Sequence, residues 1–142
     1  MKFAFLGNLQ GNTENASEKE IFLITIQLIV SVALIITNIV SAILTFDLFL
    51  KKQGKDPLFS DQTSKKVDVE NRIFLVALVI IIIFINYNYI EVTRKKGKDL
   101  SIPKIQLFVS FLTLIPAIIS LYMALVQMNK SFKLSDIENS NV

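Results

Sequence analysis

Along this chain long apolar runs alternate with short polar ones. Apolar residues dominate 21–50, 73–90 and 102–128, and each run is close to or beyond the roughly 20 helical residues that a bilayer crossing needs. Their flanks carry helix signals: Glu18 and Glu20 ahead of the first run, Ser60 and Asp61 well ahead of the second, Ser101 and Pro103 at the third. Acids suit the positive end of a helix, and short polar side chains cap it. The pattern predicts an all-α fold, a three-helix transmembrane bundle forming one domain over 1–142, with spans at about 21–48, 71–92 and 102–128. Disordered tails are expected at 1–18 and 131–142, where the chain is polar. The first run, at about 45 Å of helix, is longer than the hydrocarbon requires and is expected to protrude near Asp47, ahead of Lys51 and Lys52. Gly54 and Pro57 break the first loop, and Asp68 and Arg72 lie four apart in the favourable acid-first order. Tyr87 and Tyr89 fit the aromatic belt of a membrane interface.

Polar positions inside the runs repeat. IQLIVS at 26–31 returns as IQLFVS at 105–110, and this offset of 79 residues also pairs Ser41 with Ser120. Polar side chains are costly in lipid, so their spacing carries information. In the first run Gln27, Ser31, Leu34, Asn38, Ser41 and Thr45 advance by alternating steps of four and three. In the third, Gln106, Ser110, Thr113, Ala117, Ser120, Ala124 and Gln127 do the same. That alternation is the seam of a left-handed helix pair crossing near +20°. Small and hydroxyl residues there let two backbones approach, and carboxamides can bond across. One crossing separates the first and third helices, so they are expected to run parallel and pack through these stripes. The second, antiparallel helix, with Ala77 as its small interior residue, would lie outside and face lipid. The alternative is that Ser and Thr are common in membrane helices and the match is chance. Asn38 and Pro116, each near mid-span, mark a candidate polar site. Pro116 frees the carbonyl of Leu112 and bends its helix, and a bent helix opposite an amide can line a water path. The simpler reading is that Asn38 bonds a hydroxyl across the seam while Pro116 only bends the helix.

Composition agrees with a membrane class: 52% of the 142 residues are hydrophobic and the mean hydropathy is +0.54. The polar remainders are too short to close cores of their own. There is no Cys and no His, which excludes disulfides, thiolate nucleophiles and Cys-ligated metal and removes the commonest general base. Paired carboxylates, a phosphate-cradling Gly loop and a Ser nucleophile with a base are also missing, so neither an enzyme nor a cofactor or metal site is expected. Asp47, the one acid inside an apolar run, lies near an end where water is expected to reach it. Basic residues divide seven against eight between the two sides, leaving membrane orientation undetermined, a balance that dual-orientation proteins share. The basic loops read as anchoring charges that can also attract anionic headgroups. Nucleic-acid binding is not expected, because the cations are few and split between sides. The apolar run in MKFAFLG is too short for a signal peptide, so the first span itself is expected to act as an uncleaved insertion signal. Lysine outnumbers arginine, which occurs only as Arg72 and Arg94, and Ile and Asn are abundant, a usage that points to AT-rich coding and a bacterial origin.

GKDL followed by IQLFVSFLTLIPAIISLYMAL, with GKDPLF in the first loop and NYNY after the second run, resembles small uncharacterised three-span integral membrane proteins of low-GC Gram-positive bacteria. The resemblance covers most of 20–128 and implies no activity. The expected role is a multi-pass plasma-membrane protein, a non-enzymatic structural or accessory subunit packing as a homo-oligomer or with a larger membrane protein partner in the lipid bilayer. The alternative is a minimal oligomeric transporter or pore with a polar path near Asn38 and Pro116. Half-transporters of the PQ-loop kind have a similar span count, but their Pro-Gln signature is missing here. A third reading is a lysis or stress protein that perforates the membrane.

Overall fold

The computed structural model describes residues 17–140. They form three helices: α1 (Glu18–Lys52), α2 (Asp61–Lys95) and α3 (Ser101–Ser140). Each is long and apolar enough to cross a membrane, as a multi-pass membrane protein requires. All three exceed the expected spans. α3 runs through Ser140 where a frayed tail was expected from 131, because no Gly or Pro follows Pro116 to stop it. Residues 1–16 and 141–142, the rest of the expected tails, lie outside the described residues.

Local chemistry sets the helix ends. The Ser17 hydroxyl accepts the Glu20 N–H at 3.3 Å, and Glu18 and Glu20 sit in the first turn of α1. Ser60 caps α2 by accepting the Thr63 N–H at 3.1 Å. Asp99 accepts the Ser101 N–H at 3.1 Å and its hydroxyl at 2.7 Å, so α3 opens at Ser101 on a carboxylate cap. Both preceding helices close on a left-handed glycine. Gly54 (φ 72°) donates to Lys51 O at 3.1 Å while Lys55 donates to Leu50 O at 3.0 Å. Gly97 (φ 68°) repeats the pattern with Arg94 O at 3.0 Å and Lys98 to Thr93 O at 3.2 Å. These are Schellman closures, which satisfy the last carbonyls of a helix.

The chain divides into two compact units. In the first, Leu23, Gln27 and Val30 of α1, Val79, Ile82 and Ile85 of α2, and Ser110 of α3 are buried, and large aliphatic side chains fill the interior. In the second, the buried ones among the described residues are Thr37, Asp47, Val69, Ala117 and Ala124. No apolar side chain larger than valine is buried among those described residues, so polar contacts must do what packing does in the first.

The middle helix corrects an expectation. Rather than facing lipid it is the most enclosed of the three, with 39% of its apolar window buried against 22% and 17% for α1 and α3. Two adjacent rows account for this, the first advancing by fours and threes and the second by combinations of those steps. One runs through Leu78, Ile82, Ile85, Tyr89 and Val92, the other through Val69, Val79, Asn86, Ile90 and Thr93. An Ile- and Val-rich surface packs against protein as readily as against acyl chains, so its composition did not reveal its neighbours. Tyr89, expected at the membrane interface, is buried in the first row, while Tyr87 is exposed.

A Cβ added at Gly54 or Gly97 meets nothing within 4 Å, so the cost of Gly54→Ala or Gly97→Ala is the positive φ alone, about 1 kcal/mol each. Denaturant titration in mixed micelles should show that loss for each variant, with no further penalty from crowding.

Candidate functional site

The densest polar constellation lies in the second unit and is built around Asp47. Its side chain is 1% exposed, which corrects the expectation that water reaches it. Oδ1 accepts the backbone N–H groups of Leu58 at 2.8 Å and Phe59 at 3.1 Å. Oδ2 accepts the Ser64 hydroxyl at 2.7 Å and pairs with the Lys51 ammonium at 2.9 Å. Lys51 also bridges to Asp61 at 2.9 Å. A buried carboxylate is tolerable only when its lone pairs are filled, and four donors fill them here. Two come from the loop that Pro57 stiffens, one from α1 and one from α2.

Further along α2, Asn71 donates to Thr37 O at 3.2 Å. Arg72 pairs with Asp68 at 3.0 Å and donates to the Ser120 carbonyl at 3.2 Å and to its hydroxyl. Thr37 sits near the middle of α1. Ser120 lies eight residues before the end of the third apolar run, about 12 Å inside it. The Arg72 ion pair is thus level with apolar stretches of both neighbours, a depth at which an unpaired charge is expensive. A cleft of about 290 Å³ opens beside these groups, lined by Ser41, Thr45, Asp47, Lys51, Asp61, Ser64, Lys65, Asp68, Arg72 and Gln127. Its three acids and three bases balance. Among the described residues no group of three or more His, Cys, Asp or Glu is placed to hold a metal.

In the first unit, Asn86 donates to the Ser110 hydroxyl, which in turn donates to Gln106 O at 2.8 Å. Lys96 pairs with the buried Glu20, and Lys19 with Glu91 at 2.8 Å. Gln27 is 1% exposed, and among the described residues its carboxamide has no partner, nor has that of Gln106.

The two sequence stripes lie differently. On α3, Ser110, Ala117 and Ala124 are buried, Gln106, Thr113 and Ser120 half-buried, and Gln127 exposed. On α1, Gln27 is buried and Ser31 and Leu34 half-buried, but Asn38, Ser41 and Thr45 are exposed. The buried row of α1 instead runs through Leu23, Gln27, Val30, Thr37 and Asp47, the same period turned by roughly 50°. Ser31, Thr45 and Thr113 spend their hydroxyls on carbonyls one turn back in their own helices. Ser110 and Ser120 find their interhelical partners on α2, where the sequence placed them on α1. Asn38 lines an open groove of about 560 Å³ along α1 with Ser41, Ala42, Thr45, Phe46 and Phe49. Its carboxamide bonds to no described residue. Pro116 is exposed and does not line that groove. The Asp68–Arg72 pair was legible in the sequence, but the contacts of Thr37, Asn71 and Asn86, and the reach of Arg72 to Ser120, were not. Arg72 and Asn86 are two heptads apart and so share a face, a signal that small-residue stripes do not carry.

Asp47→Ala should lower the denaturation midpoint several-fold more than Asp61→Ala, because Asp61 is largely exposed and exposed pairs contribute little. A double-mutant cycle of Asn86→Val with Ser110→Ala should give a coupling of about 1 kcal/mol, in the range measured for interhelical bonds in membranes. The Ser101 hydroxyl and N–H hold the Asp99 carboxyl below its ordinary value. Its capping contribution is therefore complete above the unfolded-state pKa and lost as pH falls through the lower folded-state one. The Ser101 amide shift should report that lowered midpoint, and Asp99→Asn should abolish the titration.

No protein-family model, curated protein or solved structure matches this chain.

Proposed function

We propose that this chain is a non-enzymatic accessory subunit of the plasma membrane that assembles with itself or with a larger membrane protein. One observation carries the reading: Asn38, Ser41 and Thr45 line an exposed groove on an apolar helix. A carboxamide in hydrocarbon needs a partner, and none of the described residues supplies one. The charged groups level with the apolar runs, by contrast, are used within the chain. Asp47, Asp68 and Arg72 are each paired, so they serve its own architecture and leave no reacting group. α1 and α3 run parallel with α2 antiparallel between them. Contacts of Lys19 with Glu91 and of Asp47 with Ser64 support that order, since each joins an early segment of one helix to a late segment of the other. α2 rather than a direct α1–α3 seam mediates the packing.

A second reading, a minimal oligomeric transporter or pore, draws support from the charge-lined cleft of the second unit. It requires that Asn38→Leu and Pro116→Leu alter ion leak or solute flux in reconstituted vesicles; unchanged flux removes it.

Extraction of native membranes into polymer nanodiscs should yield the chain in a complex larger than one copy, by native mass spectrometry. A monomer with no co-purifying membrane protein would overturn the accessory reading.

A further inference from the structure

We infer that the groove along α1 is the contact face of a parallel homodimer in which Asn38 of one copy hydrogen-bonds Asn38 of the other. This rests on the accessory-subunit reading and names its partner. Asn38 is an exposed polar group that requires company: it lies near the middle of an apolar helix and bonds to none of the described residues. Acyl chains can neither donate to it nor accept from it. A carboxamide differs from a hydroxyl or a guanidinium in being self-complementary, since one side chain offers both N–H donors and a carbonyl acceptor. Across a twofold axis two copies can therefore exchange a reciprocal pair of bonds, as self-complementary contacts do in isologous dimers. A foreign partner would need its own polar group at this depth, whereas a second copy brings one automatically.

The rest of the groove fits such a contact. From Asn38 the face continues through Ala42, Thr45 and Phe49 in steps of four, three and four, the spacing of a parallel helix pair. Ala42 and Thr45 are small enough for backbones to come close. Thr45 has already spent its hydroxyl on Ser41 O. Phe46 and Phe49, stacked at 6.3 Å between centroids, form one wall. Copies inserted with the same topology place residue 38 opposite residue 38 at equal depth, which a parallel dimer about the membrane normal requires.

The native chain has no cysteine, so single cysteines report proximity cleanly. Ala42→Cys and Thr45→Cys mark the groove. Ile36→Cys and Ile43→Cys, also exposed, mark a face more than a quarter-turn away on the same helix. Oxidation in native membranes should crosslink the first two into a homodimer and leave the second two largely monomeric. Adding Asn38→Leu should weaken the dimer about tenfold, the effect of losing an interhelical bond of the stronger kind, and Asn38→Gln should restore most of it. Equal crosslinking on both faces, or no response to Asn38→Leu, would overturn the inference. Adducts with a different membrane protein at positions 42 and 45 would overturn the homodimer and leave the accessory reading standing. Absence of any adduct, together with monomers in nanodiscs, would sink both.

Discussion

Lipid tails are as apolar as leucine, so three apolar helices gain little from hiding against one another in a bilayer. Packing and polar contacts have to supply what the hydrophobic effect supplies in water, and in this protein α2 provides both. Its two rows are buried, and its Asn71, Arg72 and Asn86 each reach a backbone or hydroxyl group of a flanking helix. The balance differs between the units. The first has a filled aliphatic interior. The second buries almost no large apolar side chain and relies on Asp47, Lys51, Asp68 and Arg72.

The three spans were legible because hydropathy over 20 residues is a bulk property that needs no knowledge of neighbours. Caps were partly legible for a similar reason: Ser60 and the Gly54 break act locally. What the sequence could not reveal was which polar row meets its own chain. Asn38, Ser41 and Thr45 on α1 and Ser110 and Ser120 on α3 share a period, yet the first set is exposed and the second is bonded or half-enclosed. A face turned to a second protein obeys the same spacing rule as one turned inward. Asp47 was hard to read for another reason. Its donors include two backbone amides of the loop, and main-chain groups leave no trace in residue identity.

The groove and the cleft represent two solutions to polar groups at apolar depth. In the cleft, acids and bases are matched in number and mostly matched in space, so the chain neutralises its own charge there. In the groove, the polar group is left open, and its requirement is transferred to whatever lies alongside.

Asp47 also bears on how the chain enters the bilayer during synthesis. Alone, α1 would carry a carboxylate met only by its own Lys51, because Leu58, Phe59 and Ser64 have yet to emerge when it is made. Only once the following turn has left the ribosome can that acid be filled. The first two helices therefore settle as a hairpin, with the earlier one held provisionally until the later one arrives.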